Sequence, residues 1–103
     1  MNLATYQRLL REAAGDNGWT HLQQPGELAR AVACEAAELS DLYLWGNDPS
    51  QDEASDEVAD VMIFLLQFCD SEGIDLEASV LEKMRRNRSR VPGENGRWVC
   101  DTI

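Results

Sequence analysis

The chain is poor in the residues that bind soft metals and cross-link small folds. Its 103 residues include three cysteines, Cys34, Cys69 and Cys100, odd in number, far apart and without a Cys-x-x-Cys. That spacing argues against a zinc site and against a disulfide framework. Cys34 and Cys69 fall inside apolar helical patterns, where a thiol is more often buried than reactive. There is one histidine, His21. It lies in a predicted loop and reads as a surface residue, which disfavours a di-iron carboxylate bundle built on Glu-x-x-His motifs. No apolar run is long and uninterrupted enough to span a membrane, and no signal-peptide pattern is present. Positive charge is scarce: 9 Lys and Arg against 19 Asp and Glu give a net charge of -10. That balance argues against binding a nucleic-acid backbone or an anionic membrane. Repeats and low-complexity runs are missing too. These exclusions leave one small domain, expected to be a reduced cytoplasmic protein.

What is present is helical. Hydrophobic residues make up 44% of the chain, enough for a core that a chain this short often completes by oligomerising. Leu3, Tyr6, Leu9, Leu10 and Ala13 recur at helical spacing and predict a first helix over Asn2 to Ala14, stopped by Gly15-Asp16-Asn17-Gly18. A loop follows, and Pro25 suits the first turn of a second helix, expected from about Gly26 to Trp45. After the turn Gly46-Asn47-Asp48-Pro49, Ser50 and Glu53 are spaced as a capping box for a third helix, with Gly73 as its stop. Asp75 can cap a fourth, continuing to about Arg90. Pro92-Gly93-Glu94-Asn95-Gly96 then breaks the pattern. The fold class is all-α: a domain over 1–92 and a tail over 93–103.

The third helix is the stretch on which the others depend. From Val58 to Cys69 only Asp60 and Gln67 are polar, and a helix apolar nearly all round is a buried one. A buried carboxylate without a partner costs several kcal/mol or more. Glu53, Glu57, Asp60, Phe64 and Phe68 share one face. The second helix repeats the oddity. Leu28, Val32, Glu35, Leu39 and Leu42 form one stripe, and Ala31, Cys34, Glu38, Leu42 and Trp45 form another. Glu35 and Glu38, like Glu57 and Asp60, are i, i+3 neighbours whose side chains converge. If the two helices meet antiparallel through these faces, four carboxylates come together. They could not all stay ionised alone. One or two divalent cations relieve them, and hard oxygen ligands suit magnesium or manganese. Exposed carboxylates are common on helices, so it is the two apolar contexts together that carry this reading.

The fourth helix supplies the opposite charge. Six of the nine basic residues lie between Lys83 and Arg97. Lys83, Asn87 and Arg90 follow i, i+4, i+7 and extend the stripe of Leu76 and Val80. Cations at a helix C-terminus are favoured by its dipole in any case, and Arg85, Arg86 and Arg88 read as solvated charge. Lys83 and Arg90 also suit a phosphate clamp, with Asn87 bonding phosphate or sugar. A metal held by carboxylates, a cationic patch and the aromatics Trp19, Trp45 and Phe64 add up to a site for a nucleoside triphosphate. Core packing is the competing reading of those aromatics.

The blocks Glu35-Ala36-Ala37-Glu38-Leu39 and Glu57-Val58-Ala59-Asp60-Val61 resemble the ExxE…ExxD signature of the MazG-like, all-α nucleoside triphosphate pyrophosphohydrolases. Trp19-x-x-x-Gln23-Gln24-Pro25, Glu38-Leu39-x-x-Leu42-x-x-Trp45 and Lys83-Met84-x-x-Asn87-x-x-Arg90-x-Pro92 look like the branch that includes the dCTP pyrophosphatases. The likeness covers about residues 3 to 92. It implies a magnesium-dependent enzyme, with manganese a possible substitute, that cleaves between the α- and β-phosphates to a monophosphate and pyrophosphate. It implies Glu35, Glu38, Glu57 and Asp60 as metal ligands, with Glu35 or Glu38 activating water. Trp19, Trp45 and Phe64 would line the base pocket, and Lys83, Asn87 and Arg90 would hold phosphates. It further implies a four-helix bundle completed in a homodimer or homotetramer. Two departures stand out. Many members read EExxE where this chain has Cys34, as the dCTP-preferring branch also lacks that Glu. Some members place a His on the first helix, where this chain has none. The expected substrate is dCTP or a modified dCTP, then dATP, in house-cleaning of the nucleotide pool. The alternative is a non-catalytic helical module for nucleotide binding or assembly.

Overall fold

The structure is a computed structural model and describes residues 2–16 and 24–88. Trp19, His21, Arg90, Cys100 and the tail 93–103 lie outside the described residues. Four helices follow in order: α1 (Leu3–Asp16), α2 (Pro25–Asp41), α3 (Gln51–Glu72) and α4 (Leu76–Asn87). No strand occurs among the described residues, as the hydrophobic periodicity requires.

Local chemistry sets the boundaries. Asn2 stands just outside α1 as its cap, its Oδ1 accepting the Thr5 N–H at 3.0 Å. The helix runs two residues past its expected end, to Asp16. Pro25 occupies the first turn of α2, where its missing N–H has no partner to lose. Ser50 and Glu53 close the expected capping box. Ser50 Oγ accepts the Glu53 N–H, and Glu53 Oε1 accepts the Ser50 N–H, both at 3.1 Å. Gly73 takes the left-handed conformation at φ 66. Its N–H donates to the Asp70 carbonyl at 3.4 Å and that of Ile74 to the Cys69 carbonyl at 2.8 Å, the paired bonds of a Schellman motif. Asp75 Oδ1 accepts the Ala78 N–H at 3.0 Å and starts α4.

One boundary differs from expectation. α2 stops at Asp41, and a 3-10 turn over Leu44–Gly46 carries Trp45 at φ 61 and Gly46 at φ 75. Two successive left-handed residues reverse the chain in place of the last turn of a longer helix.

α2 and α3 make the main contact, and α1 lies on another flank of α3. Arg11 on α1 ties the two by donating from Nε to Asp70 Oδ1 at 2.9 Å, with Nη2 on the same oxygen. Buried residues among the described residues are few: Ala14, Leu28, Leu66 and Cys69. α3 is therefore not buried all round. Val58 (53%), Met62 and Ile63 remain exposed, because α1 and α2 cover only part of its girth. α4 contacts the other helices sparsely. Its expected inward stripe is not covered: Val80 and Lys83 are exposed and only Leu76 and Asn87 are half-buried. The Cα radius of gyration is 16.0 Å, against about 13 Å for a compact chain of this length.

Candidate active site

Glu35 and Glu57 lie at matching distances from the α2–α3 connection, as facing residues of an antiparallel hairpin must. Of the two stripes on α2, the one through Glu35 faces inward: Leu28 is buried, and Val32, Glu35, Leu39 and Leu42 are half-buried. The other does not, since Cys34, Glu38 and Trp45 are exposed in this chain. Cys34 is thus an exposed free thiol, whereas Cys69 is a buried one. A thiol beside an inward carboxylate lies some 100° round the helix from it, outside the hairpin contact.

The hairpin gathers charge of one sign. Glu35, Glu57 and Asp60, all half-buried, place one carboxylate oxygen each within 4.8 Å of one another, an arrangement that could hold a metal ion. Oε2 of Glu35 and Oε2 of Glu57 are buried and have no hydrogen-bond partner. Glu38 is not part of that triple. It stands on the exposed side, and it adds to the upward shift of both Glu35 and Glu57. Burial pushes the Glu35 carboxyl above its usual range, helped by Glu38 and then by the charges of Asp60 and Glu57. Burial likewise raises Glu57, with Glu38, Asp60 and Asp56 adding to it. No ion pair engages Glu35, Glu38, Glu57 or Asp60 among the described residues. Carboxylate oxygens at this spacing are donors that suit a hard divalent cation. Glu53, on the same face of α3, is committed to the capping box instead.

Phe64 is half-buried one turn beyond Asp60 on α3. Trp45 stands at the hairpin connection with its side chain in solvent (95% exposed). A bulky residue held left-handed, as Trp45 is at φ 61, is uncommon. Nothing in the sequence signalled that turn before Gly46. Lys83 is exposed and Asn87 half-buried on α4, and α4 contributes nothing to the carboxylate triple. Arg85 and Arg86 pair with Glu82 at 2.7 and 3.7 Å, in keeping with solvated charge. The hairpin thus unites three of the four carboxylates, and among the described residues none of them forms an ion pair with α4.

No family model matches the chain. Curated relatives do. It is 32% identical to dCTP pyrophosphatase 1 of Mus musculus over 87% of this chain and 59% of that protein. The corresponding Homo sapiens protein is also 32% identical, over 92% of this chain and 62% of its own length. The chain therefore spans about three fifths of the length of these relatives. Among solved structures, a pyrophosphatase from Archaeoglobus fulgidus superposes with a TM-score of 0.75 at 31% identity, covering 87% of this chain and 92% of that one. The chain belongs to the MazG-like nucleoside triphosphate pyrophosphohydrolase family. The ExxE…ExxD blocks that identify the MazG-like proteins here are the segments that bring Glu35, Glu57 and Asp60 together.

Proposed function

We propose that the chain hydrolyses a (deoxy)nucleoside triphosphate between its α- and β-phosphates, releasing the monophosphate and pyrophosphate. The observation that carries this reading is the half-buried triple of Glu35, Glu57 and Asp60 with its two partnerless oxygens. The names of the relatives, dCTP pyrophosphatase 1, point to dCTP or a modified dCTP as substrate, with dATP the next choice. The role is house-cleaning of the nucleotide pool, in the cytoplasm.

Glu35, Glu57 and Asp60 would hold magnesium, with manganese as a substitute and Glu38 as a fourth ligand. The cation supplies charge neutralisation for the phosphates and acidifies water. Glu35 or Glu38 accepts the proton of the attacking water. Glu38 suits that part better, because it is the site carboxylate open to solvent. Water adds at phosphorus, the bridging α–β P–O bond breaks, and pyrophosphate leaves. Trp19, Trp45 and Phe64 wall in the base. Lys83, Asn87 and Arg90 hold the phosphates. A non-catalytic assembly module would instead spend these carboxylates on ion pairs with α4, and no such pair occurs among the described residues.

A pyrophosphate-release assay with magnesium over a panel of ribo- and deoxynucleoside triphosphates, with product masses checked, tests the reading. Monophosphate plus pyrophosphate from dCTP or a modified dCTP is expected. Release of single phosphates would reject the cleavage site, and no turnover by folded, metal-loaded protein would favour the binding module.

A further inference from the structure

Between Val58 and Cys69, α3 carries only Asp60 and Gln67 as polar residues. Asp60 belongs to the carboxylate triple; Gln67 lies outside it. Gln67 is half-buried, and its carboxamide makes no hydrogen bond among the described residues. Seven residues after Asp60 it returns to the same face, about 20° round the helix axis and about 10.5 Å along it. Phe64 stands between the two in height, about 4.5 Å from Gln67 along the axis and about 60° round it. Neighbouring helices flank this face. Ile63 and Leu66 line a groove against α1 on one side, and Glu57 meets Glu35 of α2 on the other. Gln67 therefore stands in the seam between α1 and α2, in line with Asp60 and two turns beyond it. Packing gives no reason for an amide there, since a half-buried polar group without a partner gains nothing over an apolar one.

A nucleotide supplies the reason. Its sugar separates the charged end from the base, so phosphates at Asp60 and a base beside Phe64 leave the edge of the base further along α3. A carboxamide offers a donor and an acceptor side by side. The 4-amino group and N3 of cytosine are a donor and an acceptor side by side, and the two edges pair through two hydrogen bonds. Asn and Gln read adenine in nucleic acids by the same two-point match. Turned over, the amide also fits O4 and N3–H of thymine or uracil. It thus selects for a base whose edge can pair at both points.

We propose that Gln67 is a substrate-binding residue that hydrogen-bonds the Watson–Crick edge of the base, the 4-amino group and N3 in dCTP, while Phe64 covers its face. The choice of substrate rests on the proposed pyrophosphohydrolase reading. Gln67→Leu keeps roughly the volume and removes both hydrogen bonds. With dCTP its KM should rise about tenfold or more, with kcat little changed. The deciding comparison uses the deoxynucleoside triphosphate of pyrimidin-2-one, which lacks the 4-amino group. Wild type should have a lower kcat/KM on it than on dCTP, and Gln67→Leu should treat the two alike, because the contact is already gone. Gln67→Ala gives the same comparison should leucine disturb the packing. A wild type indifferent to the 4-amino group, or a discrimination that survives in the variants, would overturn the assignment. Calorimetric binding of dCMP and of the pyrimidin-2-one monophosphate repeats the comparison without turnover. If wild type favours dCMP and the variants lose that preference, yet no triphosphate is hydrolysed, the hydrolase reading fails and the contact stands. If wild type hydrolyses dCTP and the variants keep its preference, the contact fails and the hydrolase reading stands. A wild type that neither binds nor hydrolyses removes both.

Discussion

Glu57 carries a buried oxygen with no partner in the midst of Glu35, Glu38 and Asp60, and the protein's response to pH follows from that. Glu35 and Glu57 both titrate above their usual range in the folded chain. Between the unfolded and the raised folded values, the native state keeps protons that the unfolded chain has released. The contribution of these two groups to the stability of the metal-free protein is therefore greatest below the ordinary carboxylate range and is lost as pH rises through it toward the raised values. Glu57→Gln removes one of the repelling charges at almost unchanged volume. In EDTA at neutral pH its Tm should exceed that of wild type, with a flatter pH profile and a smaller gain from magnesium. Thermal melts with and without the metal check this; a Gln variant less stable than wild type in EDTA would mean that Glu57 is not repelled. Trp45 illustrates the opposite case, a residue whose conformation costs stability. Left-handed backbone costs an L-residue about 1–2 kcal/mol, and a side chain 95% exposed returns little by packing. Trp45→Gly should therefore keep or raise Tm while raising KM or blurring base preference. A lower Tm with normal selectivity would make Trp45 a structural residue.

At the scale of the helix, α3 has the best-defined ends in the chain, and both were legible. Ser50, Glu53, Gly73 and Asp75 act through hydrogen bonds that close within a few residues, so their chemistry can be read without knowing the fold. Ser50→Ala should lower stability by about 1 kcal/mol. In urea this is expected as a lower midpoint at an unchanged slope; an unchanged midpoint would show that the box is not used. Of the four expected carboxylates, Glu35, Glu57 and Asp60 gather where the two helices meet, whereas Glu38, one turn from Glu35, lies on the exposed side, because i, i+3 spacing alone does not say which side chains face a neighbouring helix. Two further things were not legible. The end of α2 was placed too late, since Leu42-Tyr43-Leu44 contains no breaker and the reversal comes from the backbone at Trp45 and Gly46. Which stripe of α2 and which faces of α3 and α4 are covered was also out of reach. Periodicity shows that a face is apolar, not whether a helix of the same chain is there to cover it. Cys34 and Val80, apolar by pattern and exposed in the chain, are the residues where that distinction shows.

For the whole molecule, the decisive quantity is a net charge of -10 on 103 residues, and the cause of the repulsion decides what relieves it. Dispersed surface charges repel over distances that salt screens, since the Debye length is about 8 Å at physiological ionic strength. The triple of Glu35, Glu57 and Asp60 brings its oxygens within 4.8 Å, inside that length, and two of its oxygens are out of contact with solvent. Screening reaches such a cluster poorly; where its carboxyls are ionised, a cation seated among the oxygens removes the repulsion. Sodium chloride should thus raise the Tm of the EDTA-treated protein modestly and progressively. Millimolar magnesium should raise it further at equal ionic strength, by binding the native state alone. Manganese should act like magnesium, because both accept hard oxygen ligands. The magnesium increment should be diminished in Glu57→Gln, whereas the sodium chloride increment should survive. If sodium chloride at matched ionic strength reproduces the whole magnesium effect, the carboxylates are part of a diffuse acidic surface and not a preformed site.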